Sequence, residues 1–191
     1  TLTNVGSKLF PHRPAFWEAT IWAAKNLIKR GKYYEAMYKL DQMKEDPALS
    51  ENLKGELFAT RANVYLQQDR YEEAVPELKE AIRFADRRSE RARYAFILGQ
   101  LYQMGNRPVS SDEYFNLALK QHPGYEMAFH AKMNLLLNRS LQGDSEEDLI
   151  KSLGKLAKEA DPAIYALTGA AAQDEAIRAV VRTQEANGIA G

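Results

Sequence analysis

Gly31-Lys32-Tyr33-Tyr34-Glu35-Ala36, Asp69-Arg70-Tyr71-Glu72-Glu73-Ala74 and Gly105-Asn106-Arg107-Pro108, the last leading to Ser111, are variants of one phrase. The small residues Ala36, Ala74 and Ser111 lie 38 and 37 residues apart. A fixed period of this size marks a stack of similar units, none of which buries its apolar face alone. Helix formers dominate around the phrases, and no run of alternating β-branched residues signals a strand.

Each period holds two helices. Ala24, Ala62 and Gly99, twelve residues before the phrase-closing residues, are the small side chains a close helix crossing needs. Leu27, Tyr65 and Tyr102 follow three residues later, and the turn comes next. Tyr33 and Tyr71 open the second helix and are expected to wedge between the pair. Leu40, Leu78 and Phe115, then Met43, Ala81 and Ala118, extend one buried stripe at helical spacing. In the third unit Pro108 replaces the tyrosine, so that helix begins at or after it. Pro47 and Pro123 end two units, and Ser50-Glu51 reads as a capped helix start. The repeat-packing set is thus Ala24, Ala36, Ala62, Tyr71, Ala74, Gly99, Tyr102 and Ser111.

The pattern resembles the tetratricopeptide superfamily from about Pro14 to Ala118. The resemblance implies an all-α fold, an α-solenoid of antiparallel helical hairpins. An extended leader is expected over residues 1–13, with Gly6 and Pro11 in it, and a helical-repeat domain over 14–191. The hairpins fall at about 14–46, 51–86, 89–122 and 124–160. Tyr125 to Asn138 reads as a helix, and Asp144 or Ser145 caps the next, running to about Ala160. An imperfect last hairpin spans about 163–187, after the Asp161-Pro162 break.

Leu53 to Ala62, Glu90 to Gln103 and Pro123 to Asn134 carry a closer likeness. These stretches resemble the PorW/SprE family of Bacteroidota envelope proteins, over roughly Phe16 to Asn134. Tyr125-Glu126-Met127-Ala128-Phe129 is the most specific part, whereas Ile164-Tyr165-Ala166-Leu167-Thr168-Gly169 only echoes that family's last hairpin. The resemblance implies an outer-membrane lipoprotein facing the periplasm, associated with type IX protein secretion and, in some members, gliding motility. Its partners would be other secretion-machine subunits. Membrane attachment would come only through a lipid anchor upstream of Thr1, a start that reads as a fragment or a processed product.

Composition fits a folded soluble protein and argues against disorder. Lys plus Arg and Asp plus Glu both number 26, so no overall positive surplus favours nucleic acid. There is no Cys, which removes disulfides, thiolate nucleophiles and cysteine zinc sites. His12, His122 and His130 form no metal-ligand pair on one helix, and neither GxSxG nor a phosphate loop occurs. No catalytic residue, metal, cofactor or small-molecule substrate is expected.

Partner contacts are expected on first-helix faces turned away from the second helices: Glu18, Ile21, Lys25 and Lys29; Glu56, Ala59, Asn63 and Gln67; Arg93, Phe96, Gln100 and Gln103. The cluster Arg83, Arg87, Arg88, Arg91 and Arg93 is a second candidate, read either as a docking patch or as a solvated helix end, with no aromatic ladder beside it. Tyr125 to Phe129 is a third. One of Trp17 and Trp22 should pack and the other stay partly exposed. The leading functional reading is a non-catalytic scaffold. The alternatives are a generic peptide-binding module or co-chaperone, and the regulatory part of a larger enzyme.

Overall fold

The computed structural model describes residues 14–159. The expected leader and the last hairpin at 163–187 lie outside them. The described residues are all-helical, with eight helices and no strand. These are α1 (Pro14–Lys29), α2 (Tyr33–Lys44), α3 (Glu51–Leu66), α4 (Tyr71–Phe84), α5 (Arg88–Met104), α6 (Pro108–Lys120), α7 (Tyr125–Leu141) and α8 (Glu146–Glu159). Each packs on its sequence neighbours, and α1 reaches α3 while α5 reaches α7.

The turns inside successive pairs share one geometry. Gly31, Asp69, Asn106 and Gly143 have φ of 71°, 55°, 53° and 92°. They follow one another at 38, 37 and 37 residues. Glycine has no Cβ to clash there, and Asp and Asn tolerate the left-handed region better than other residues do. The next amide closes each turn: Lys32, Arg70, Arg107 and Asp144 donate to the carbonyls of Leu27, Tyr65, Tyr102 and Arg139 at 2.9–3.1 Å. This is the Schellman closure, which satisfies carbonyls that a helix end leaves open.

Close crossings follow the small residues. Ala24, Ala36, Ala62, Ala74 and Ser111 are each 0% exposed, and Gly99 is buried. A Cβ on Gly99 would sit 2.9 Å from the Phe115 ring, and the Ser111 hydroxyl donates to the Gly99 carbonyl at 2.9 Å. Leu40, Leu78, Phe115, Met43, Ala81 and Ala118 are buried. Trp17 packs at 8% exposure, whereas Trp22 is 70% exposed.

Some local expectations change. Tyr71 is not a wedge: it is 38% exposed, because its hydroxyl finds the Asp69 carboxylate at 2.7 Å on the surface. That hydrogen bond also raises the phenol's pKa. Tyr33 does lie against the first core cluster. Ser50 has extended backbone at the start of α3, but its hydroxyl makes no capping bond. The Ser145 hydroxyl accepts from the Asp148 amide at 3.2 Å and so caps α8, while Asp144 pairs with Arg139.

Gly55 marks the tightest approach between α3 and the end of α4. A Cβ there would lie 2.8 Å from the Phe84 carbonyl oxygen, which is backbone and cannot rotate away. Gly55→Ala should therefore destabilise the fold by about 1–3 kcal/mol through overpacking. That loss exceeds the roughly 1 kcal/mol that helix propensity returns. Urea denaturation checks it: an unchanged or higher midpoint would mean that the two segments part without cost.

Candidate functional surfaces

The expected binding residues do not share one role. Ile21 is 0% exposed and belongs to the first core cluster with Trp17, Ala24 and Ile28, so it is not a partner contact. Helix α1 packs on both α2 and α3, which widens its buried arc past the face that one hairpin would cover. Gln103 is also committed inward: its amide donates to Asn138 Oδ1 at 2.8 Å. Phe96 is half-buried, edge-on to Phe115 at 5.5 Å between centroids. Lys25 bridges α1 to Glu56 on α3 at 2.5 Å and lies 5.3 Å from the Trp22 ring centroid. Asn63 and Ala59 are half-buried, and Glu18, Lys29, Gln67, Arg93 and Gln100 are exposed.

Trp22 was not among the residues expected to contact a partner. Trp22 is exposed and steadied by the Lys25 ammonium, and Trp is a residue type enriched where binding energy concentrates. The signal available was its five-residue offset from Trp17, which keeps both rings from one buried stripe.

The arginine cluster sits around the α4–α5 turn. Arg83 and Arg87 make only long, exposed pairs, to Glu80 at 3.6 Å and Glu90 at 3.9 Å. Such pairs hold little energy, which leaves these cations available to a partner. Arg88 and Arg93 are exposed with no ion pair among the described residues. Arg91 is structural: it donates to the Ala85 carbonyl at 2.7 Å. Two half-buried rings lie near the cluster, though not as an exposed ladder. Phe58 and Phe84 stack at 5.8 Å, Lys54 and Arg83 each lie 5.2 Å from the Phe84 centroid, and Lys44 lies 5.6 Å from Phe58. Folding brings α2, α3 and α4 together here, which no linear spacing announces. The rings are flanked by the protein's own cations and half-buried. Between Glu56 and the arginines, the half-buried Tyr94 has its phenol pKa pushed up to about 12, chiefly by burial.

Tyr125 and Phe129 stack on α7 at 6.3 Å, and His130 is exposed beside Phe129. Among the described residues no group of three His, Cys, Asp or Glu side chains could hold a metal ion. No described helix is long and apolar enough to cross a membrane. No family model matches the chain, and no curated protein matches it.

Proposed function

We propose that this chain is a tetratricopeptide-type solenoid acting as a non-catalytic scaffold that holds protein partners. The register of the left-handed turn residues, repeating at 38, 37 and 37, supports the repeat reading. The observation that carries the binding role is the exposed row Arg87, Arg88 and Arg93 at the α4–α5 turn. A patch of weakly paired arginines on a rigid stack favours an acidic protein surface, because the guanidinium fork meets carboxylates in two-point contact.

The likeness to the PorW/SprE family leads us to place the scaffold in type IX secretion, on the periplasmic face of the outer membrane. Its partners are then other secretion-machine subunits, and attachment is through an upstream lipid anchor. The test uses the full chain as bait on a detergent extract of Bacteroidota envelope, with Arg87→Glu/Arg88→Glu/Arg93→Glu as parallel bait. The expected result is retention of secretion-machine subunits by the unaltered chain and their loss from the variant. Retention only of chaperones or unrelated peptides would overturn the envelope reading and favour a generic peptide-binding module.

A further inference from the structure

The second hairpin seats its first helix on the hairpin before it. On α3 the seated face is Leu53, Leu57, Thr60, Arg61 and Val64, all at 6% exposure or less. Leu53, Leu57 and Val64 share one core cluster with residues of α1 and α2, and Arg61 binds Asp41 of α2. On α5 the same register holds the buried Leu98 and Leu101 and the half-buried Tyr94 and Ile97. Counting 38 residues back from the α3 face gives Ala15, Ala19, Trp22, Ala23 and Asn26 on α1. Here Ala15, Ala19, Trp22 and Asn26 are exposed, and Ala23 is half-buried.

Helix α1 thus presents, in water, the face that α3 buries against its predecessor. A stack end that meets only solvent carries a polar outer face. This one holds no charged residue, and its centre is Trp22, at 70% exposure. Single exposed apolar residues are ordinary on a protein surface. Trp22 differs by standing at a position whose counterpart, Thr60, is 3% exposed at the joint between hairpins.

Charge on the rim of the face selects its occupant. Glu18 and Lys29 lie eleven residues apart, about three helical turns, so they share one edge. Both are exposed, and neither has an ion pair among the described residues. Two α1 helices that meet antiparallel, about a two-fold axis at the level of Ala23, bring each Glu18 opposite the Lys29 of the other copy. Their macrodipoles are then opposed as well. Parallel pairing would set Glu18 on Glu18 and Lys29 on Lys29. The face is therefore complementary to itself in one orientation. Helix α1 is about 24 Å long at the helical rise and about 10 Å wide, so the contact falls well short of the area that a permanent dimer buries.

We propose that the uncovered face of α1 is a self-association surface, through which two copies of this chain pair antiparallel as a weak two-fold dimer. The contact is apart from the arginine row and does not depend on the scaffold reading. Sedimentation velocity of the full chain, from about 1 µM to about 1 mM, reads it directly. The expected result is a shift from monomer to dimer with a dissociation constant on the order of 100 µM. Trp22→Glu should stay monomeric throughout. Glu18→Lys and Lys29→Glu each place like charges at two symmetric points of the rim, and each should weaken the dimer about tenfold. An equimolar mixture of those two variants should regain the original affinity, because each copy then meets opposite charge at both points. Tyr34→Glu, on an exposed part of α2, should leave association unchanged. Circular dichroism melts report whether each variant is folded.

A monomer at every concentration would overturn the proposal. A dimer that Trp22→Glu leaves intact would do so too, since it would use another surface. A mixture of the charge variants that associates no better than either alone would rule out the antiparallel pairing. The scaffold reading stands or falls separately, on the envelope pull-down.

Discussion

Arg61→Met should lower the melting temperature by roughly 10 °C, the shift expected when a loss of about 3–5 kcal/mol falls on a domain of this size. The Arg61 side chain is 7% exposed and lies on α3 between two carboxylates from other helices. Nη1 binds Asp41 Oδ1 on α2, and Nε binds Glu77 Oε1 on α4 at 3.0 Å. Burial works against the guanidinium's charge. The hydrogen bond to Asp41 and the attraction of Glu77 outweigh it, so its pKa is raised. Asp41 is half in water, but the Glu77 side chain is 11% exposed, and its Oε2 has no hydrogen-bond partner among the described residues. Removing Arg61 therefore strands a buried carboxylate, which is the expensive half of breaking a buried pair. Arg61→Met with Glu77→Met removes that charge and should recover most of the loss. Differential scanning calorimetry of the single and double variants decides it. A single variant within about 1 kcal/mol of the unaltered chain would show that the trio adds little to the joint between the first two hairpins.

Asn138→Leu should cost about 1–3 kcal/mol, the range expected when a buried hydrogen-bonding group is removed from its partners. Asn138 is 0% exposed and joins three helices. It accepts from Gln103 Nε2 of α5 at 2.8 Å and donates to Ser111 Oγ of α6 at 2.9 Å and Asp112 Oδ1 at 2.7 Å. Leucine fills the space but leaves the Gln103 amide only the long contact to the Asn134 carbonyl at 3.5 Å. In a stack held by neighbour contacts the damage should stay local. Hydrogen exchange should then lose protection in α7 and α8 while α1 to α4 keep theirs. A uniform loss along the chain would mean that the hairpins unfold as one unit, against the repeat account.

The hairpins were legible because their turns depend on residue type. Gly31, Asp69 and Asn106 are residues that accept left-handed backbone, and each stands at a fixed distance from a small crossing residue. The surfaces were less legible. Ile21 and Gln103 face inward because α1 and α5 each touch the next hairpin, a contact that the period of one hairpin does not contain. The companionship of Phe58, Phe84, Lys54 and Arg83 depends on α3 and α4 lying side by side.

The most direct test of the scaffold account is site-specific photocrosslinking in living Bacteroidota cells. A benzophenone amino acid is placed singly at Arg88, at Gln100 and at Tyr34, the last 85% exposed on α2 as a reference position. The account predicts adducts with a secretion-machine subunit from Arg88 and Gln100 and none from Tyr34. Equal adducts at all three positions, or adducts only with diverse short peptides, would contradict it.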